Sequence, residues 1–118
     1  MEESIVPDIQ MTEVRVMRLL DKAALRRIFD NILSNAARYT DGDLSVRLFS
    51  DGRTTFSNHA SKLDRIQAER LFERFYTVES AKNSTGLGLS IARLLTEKMT
   101  GSIKAEYADG ELVIQVGF

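Results

Sequence analysis

The stretch Thr85-Gly86-Leu87-Gly88-Leu89-Ser90-Ile91 carries the first chemical signal in the chain. Two glycines one residue apart stand where a polar segment gives way to helical periodicity. Leu87, Ile91, Leu94 and Leu95 then follow the i, i+4, i+7, i+8 spacing of a helix with one buried face. Glycine lets a backbone approach an anion closely, and the unpaired N–H groups of a helix start supply donors aimed at it. A phosphate chain is the obvious anion. Small residues at a helix start also serve plain packing, so the reading depends on what else the chain brings to the site.

A second signal lies on the amphipathic helix read from Asp21, its N-cap, to about Tyr39. Its apolar face is Leu25, Ile28, Phe29, Ile32, Leu33, Ala36 and Ala37. Asn31, Asn35 and Arg38 are spaced i, i+4, i+7 and line one stripe beside that face, with Asn35 nearest the boundary. Asparagine is a poor interior helix residue because its side chain competes for backbone hydrogen bonds. Amide oxygens here could reach a hard cation such as Mg²⁺ held mainly by phosphate oxygens and water, with Arg38 pairing a phosphate. The plainer alternative is a solvated face with one asparagine tied to a neighbouring loop.

The elements that must position these residues follow from pattern and turn chemistry. Residues 1–11 read as a linker or the end of something upstream, and 12–118 as one domain. Thr12–Leu19 alternates apolar and polar residues and suggests an edge strand. Leu44–Phe49 and Thr54–Asn58 form a hairpin around Ser50-Asp51-Gly52-Arg53. Residues 59–67 are irregular, Ala68–Tyr76 is a short helix, and 77–84 is polar. The glycine-led helix stops near Thr100-Gly101, and a last hairpin turns at Ala108-Asp109-Gly110. Hairpins punctuated by three helices predict an α+β layer, helices on one face of a largely antiparallel sheet.

Composition narrows the function. Sixteen basic against 17 acidic residues, net charge −1, predict no nucleic-acid footprint and no contact with an anionic membrane. No apolar run approaches the roughly 20 residues a spanning helix needs, and no signal peptide is visible, so a soluble domain is expected. With no cysteine there is no disulfide, thiolate zinc site or cysteine nucleophile. A single histidine, His59, makes a histidine-rich metal site impossible.

Taken in order, Asn31-Ile-Leu-Ser-Asn35-Ala-Ala-Arg-Tyr39, Leu71-Phe-Glu-Arg-Phe-Tyr76 and Ser84-Thr-Gly-Leu-Gly-Leu-Ser-Ile91 resemble the N, F and G2 boxes of the sensor histidine kinases. These belong to the ATP-binding superfamily shared with gyrase, Hsp90 and MutL. The resemblance covers roughly residues 14–118. It implies the Bergerat fold, a two-layer α/β sandwich with a mixed sheet of about five strands and three helices on one face. It also implies ATP and Mg²⁺ as ligands. Asn35 would help coordinate Mg²⁺ with Asn31 close by, Arg38 would approach the phosphates and Tyr39 the adenine. Thr85, Gly86, Leu87, Gly88 and Leu89 would form the phosphate-facing helix start, and 77–84 the lid. Phe72 and Phe75 would brace the lid and could meet a partner helix, or be ordinary core aromatics.

One stretch departs from the family pattern. Asn58-His59-Ala60-Ser61-Lys62-Leu63 stands where the G1 box normally reads Asp-x-Gly-x-Gly. Asn58 replaces the aspartate that accepts from the adenine amino group, and a neutral acceptor makes a weaker bond. Ala60 and Lys62 replace both glycines, so any φ > 0 there would be strained.

The family's phosphoacceptor histidine lies on a separate upstream dimerisation helix, which makes His59 a loop histidine without a catalytic role. The implied function is to bind Mg·ATP and supply the γ-phosphate to that histidine in a two-component kinase. A response regulator would act downstream, and the cytoplasmic domain would belong to a membrane-anchored whole. Two other readings stand beside it: a degenerate, nucleotide-free regulatory module, and an anti-sigma-type serine kinase of the same superfamily. The Leu71–Tyr76 box speaks against the second.

Overall fold

A computed structural model of the chain describes residues 6–13, 15–76 and 87–118. Its longest element, α1 (Lys22–Tyr39), starts where Asp21 accepts a hydrogen bond from the Ala24 N–H at 3.1 Å, closing one of the orphan donors of the first turn. The helix buries Ile28, Ile32, Asn35, Ala36 and Tyr39, a single stripe at i, i+4, i+7, i+8, i+11. Asn35 thus lies inside the apolar stripe rather than at its boundary.

That stripe packs on a five-stranded mixed sheet ordered β1-β2-β3-β5-β4, from β1 (Asp8–Met11), β2 (Ser45–Leu48), β3 (Thr54–His59), β4 (Ser102–Ala108) and β5 (Glu111–Gly117). β1 runs parallel to β2, and every other pairing is antiparallel. Thr54, Phe56 and Asn58 alternate inward on β3, directly opposite Val116, Ile114 and Leu112 of β5. Phe56, Leu112, Ile114 and Val116 join Ile28 and Ile32, Ala68, and Leu89 and Ala92 in one core, which places the helices on one face. The β4–β5 hairpin closes through Asp109 and Gly110 at φ 53° and 77°, the left-handed pair that an Asp-Gly two-residue turn supplies.

Three expected elements differ. The described residues of 12–19 form no strand, and the edge strand is Asp8–Met11, inside the stretch read as a linker or the end of something upstream. All four β1 residues are exposed, so no buried alternation marked them. Val16, Arg18 and Leu20 line a cleft on alternate residues. The short helix α2 spans Arg65–Glu69, not Ala68–Tyr76, because an Asp64/Gln67 capping box starts it early. Residues 70–76 then leave the helix, and Phe75 sits at φ 63°. Finally, α3 (Gly88–Lys98) buries Leu89, Ala92 and Thr96, while Leu94 is 54% exposed. The buried face is thus offset from the one the large aliphatics suggested. Its centre is the small Ala92, wholly buried, and Thr96 satisfies its hydroxyl by donating to the Ala92 carbonyl at 2.7 Å.

No helix among the described residues is long and apolar enough to cross a membrane.

Candidate functional site

The two sequence signals meet in space. The Asn31 side-chain amide donates to the Gly88 carbonyl at 3.0 Å, tying the asparagine stripe of α1 to the start of α3. One helical turn on from Asn31, Asn35 is 6% exposed, and its Oδ1 is buried without a hydrogen-bond partner among the described residues. A buried amide oxygen left unpaired costs free energy, so a structure that keeps one holds an acceptor in reserve. Arg38 is half-buried at the end of the stripe, and no hydrogen bond or ion pair engages it among the described residues.

Leu87 caps α3 without any side-chain hydrogen bond, so the N–H groups of Gly88, Leu89 and Ser90 lie outside the intrahelical ladder, and among the described residues no side chain caps them. The first ladder bond runs from the Ile91 N–H to the Leu87 carbonyl at 2.9 Å, and the Ser90 hydroxyl donates to the same oxygen at 2.8 Å. Among the described residues, a Cβ added at Gly88 would meet nothing within 4 Å. Packing therefore does not explain that glycine, whereas an open approach to the helix start does. Leu89 points its side chain into the core, which leaves only its backbone N–H for a ligand. Tyr39 is 2% exposed and part of the same core. Thr85, Gly86 and the expected lid at 77–84 lie outside the described residues.

Mg²⁺ suits this set. The unpartnered Asn35 oxygen is a hard, neutral ligand, and no group of three or more His, Cys, Asp or Glu gathers elsewhere among the described residues. A cation here would take most of its oxygens from phosphate and water, as Mg²⁺ commonly does.

The divergent stretch is well built. Asn58 is 2% exposed on the helix-facing side of β3, and its amide nitrogen donates to the His59 carbonyl at 3.2 Å. The amide oxygen is the group left to accept from elsewhere. Ala60 is wholly buried, and neither Ala60 nor Lys62 has a positive φ, so the strain anticipated for non-glycine residues does not arise. The Tyr107 hydroxyl donates toward the carbonyls of Ala60 and Leu63, at 2.9 and 2.8 Å.

Two carboxylates from the α1–β2 turn, read in sequence only as turn residues, clamp this stretch. Asp41 accepts from the Ser61 N–H at 3.0 Å and the Ser61 hydroxyl at 2.8 Å. Asp43 accepts from the His59 N–H at 2.8 Å and meets His59 Nδ1 at 2.9 Å. The hydrogen bond and charge of Asp43 raise the His59 imidazole above its ordinary value. Partial burial pushes Asp43 up, but its bonds from His59 outweigh that and hold it below the usual carboxylate range. His59 is thus an exposed clamp residue. Of the two aromatics read as lid braces, Phe72 packs partly against the core and Phe75 is 65% exposed.

Comparison with known proteins identifies the family and the fold. The family described as "Histidine kinase-, DNA gyrase B-, and HSP90-like ATPase" matches residues 20–116. The signal transduction histidine-protein kinase BaeS of Escherichia coli is 34% identical over 97 residues, covering 75% of this chain and 21% of BaeS. The chain therefore spans about a fifth of that relative's length. Among solved structures, a mycobacterial sensor histidine kinase, MprB, superposes with a TM-score of 0.74 at 24% identity, over 95% of this chain and 79% of that one. Full-length ShkA in complex with AMPPNP superposes with a TM-score of 0.70 at 25% identity, over 95% of this chain and 25% of ShkA. The chain belongs to the histidine kinase-, DNA gyrase B- and HSP90-like ATPase family, with sensor histidine kinases as its relatives.

Proposed function

We propose that the domain binds Mg·ATP between α1 and α3 and presents the γ-phosphoryl group to a histidine on a separate dimerisation domain. A response regulator would then receive the phosphoryl group. The observation that carries this reading is the buried, unpartnered Asn35 oxygen one turn from Asn31, which is itself bonded to the start of α3. That the related ShkA was solved with AMPPNP supports the ligand class.

The residues divide the work simply. Backbone N–H groups of Gly88, Leu89 and Ser90 would hold phosphate oxygens, and the positive end of the α3 dipole would favour their charge. Asn31 fixes the distance between the two helices. Asn35 would supply a protein oxygen to Mg²⁺, and Arg38 would add a cation at the phosphate end. Mg²⁺, when bound, would neutralise the charge developing on the β- and γ-phosphates. Such transfer is chiefly positioning and charge compensation, so no proton-shuttling residue is required of this domain. By the same reading the domain works in the cytoplasm as part of a longer kinase.

The departure at Asn58 and Ala60 favours a second reading, a nucleotide-free regulatory module of the same fold. Ala60 is wholly buried where the family pattern has glycine, and Asn58 offers only a neutral acceptor. Calorimetry with AMPPNP at millimolar concentration separates them. The first reading expects saturable, Mg²⁺-dependent heat from the native chain. Heat appearing only after Asn58→Asp would select the second, and no heat from either protein would overturn ATP binding.

A further inference from the structure

Phe29 of α1 meets Phe56 of β3 with ring centroids 5.4 Å apart. Asn58 lies two residues further along β3, roughly 7 Å, towards the end of α1 that carries Asn35. It is 2% exposed and stands opposite the wholly buried Leu112 of β5. Its amide nitrogen is bonded, and no hydrogen bond among the described residues engages its Oδ1. A carboxylate here would offer an acceptor whichever way it turned. An amide carries an acceptor on one side and donors on the other, so its chemistry depends on which side faces the site.

The turn between α1 and β2 settles that orientation. The His59 carbonyl accepts from Asn58 Nδ2 at 3.2 Å and from the Asp41 N–H at 2.8 Å. Turning the amide over would set its oxygen against a carbonyl oxygen, acceptor facing acceptor, and would lose the bond. The backbone around that carbonyl is held in place. Asp43 accepts from the His59 N–H at 2.8 Å, and Asp41 accepts from the Ser61 N–H at 3.0 Å. Between them the Ala60 N–H donates to the Gly110 carbonyl at 2.8 Å. Two carboxylates of one turn therefore grip the backbone on either side of the peptide that orients Asn58.

We propose that Asp41 and Asp43 are positioning residues for the base end of the nucleotide site. Through the His59 peptide they lock Asn58 with its oxygen towards the site, which selects a 6-amino purine over a 6-oxo purine. The amino group donates to the locked oxygen, whereas an oxo group sets a second acceptor against it. This inference rests on the nucleotide reading above.

Two measurements on the 118-residue chain test it. The first needs no nucleotide. In ¹H–¹⁵N spectra the Asn58 side-chain amide protons should exchange slowly with water, and Asp43→Ala should speed that exchange about tenfold or more. Fast exchange in the native chain, or exchange unmoved by Asp43→Ala, overturns the lock. The second compares Mg·ADP with Mg·IDP, whose bases differ only in the amino or oxo group, by calorimetry. The native chain should bind ADP at least about tenfold more tightly. Asp43→Ala, alone or with Asp41→Ala, should cut that preference to about threefold or less, because a freed amide can turn its donors to the oxo group. In an Asn58→Asp background the same changes should leave the preference within about twofold, because a carboxylate has no side to choose. A preference lost equally in both backgrounds would mean that the turn only supports the fold, and overturns the inference. So does a preference that survives the double change beside the native Asn58. If neither nucleotide binds, the nucleotide reading falls and this inference with it. If ADP and IDP bind equally to the native chain, that reading stands and this inference alone falls.

Discussion

Replacing Asn35 with leucine should make the protein more stable and less able to use Mg²⁺. The wild-type oxygen is buried without a partner, and such an atom costs about 1–3 kcal/mol. Leucine removes that cost and is the better helix former by roughly half a kcal/mol. Against this, the two methyl groups must fit a stripe already filled by Ile32, Ala36 and Tyr39, and crowding returns part of the gain. The net expectation is a gain of about 1–2 kcal/mol, or roughly 3–10 °C in Tm for a domain of this size. Affinity for Mg·AMPPNP should fall at least about tenfold, equivalent to ~1.4 kcal/mol, while affinity for AMPPNP in chelator should change little. Thermal unfolding with and without Mg·AMPPNP reads both quantities. A variant destabilised by 1 kcal/mol or more would show that the oxygen is satisfied in the folded protein. An unchanged Mg²⁺ dependence would show that it is not a ligand.

Other substitutions separate packing from function. Gly88→Ala places a methyl in open space at a helix start, so stability should hold or rise by up to about 1 kcal/mol while nucleotide affinity falls; a parallel loss of Tm would refute the open approach. Asn31→Ala removes the amide bond to the Gly88 carbonyl and should cost about 1 kcal/mol in denaturant unfolding; no change would mean α1 and α3 register without it. His59, raised by Asp43, should titrate above about 6.5, and Asp43→Asn should bring it down, both read from its imidazole ¹H shifts. Because the folded value is the higher one, this contribution to stability is complete below the unfolded value and is lost as pH rises through the folded one. Asp43, held low, adds stability above its ordinary value that is lost as pH falls through the folded one. A midpoint unmoved by Asp43→Asn would contradict the clamp.

The sequence made the candidate site's parts legible wherever a side chain's chemistry clashed with its helical position. Asn31 and Asn35 stand out because asparagine is out of place inside a helix, and Gly88 because nothing local demands it. It also yielded Asp21 as a cap and Asp109-Gly110 as a turn, both local events. What escaped it depended on distant partners. β1 gives no pattern because all its side chains are exposed, and its ladder with β2 is written only in backbone atoms. The true start of α2 was hidden by Ile66, an exposed isoleucine that blurred the apolar period. Asp41 and Asp43 read as turn formers, yet their bonds run 20 and 16 residues onward to Ser61 and His59. Glycine's replacement by Ala60 looked like damage, whereas the fold gives that methyl a buried place at an ordinary φ.

In the proposed function, Asn35 and the start of α3 hold the metal and phosphates of one nucleotide. Mn²⁺ can replace Mg²⁺ at an oxygen site and broadens nearby nuclear resonances. In ¹H–¹⁵N spectra of the labelled chain, Mn²⁺ with AMPPNP should broaden the Asn35 and Asn31 side-chain amides and the Gly88, Leu89 and Ser90 backbone amides first. Residues of β1 should stay sharp, and Mn²⁺ without nucleotide should have little effect. Broadening that spares Asn35 and Gly88, or that is the same without nucleotide, would contradict the account.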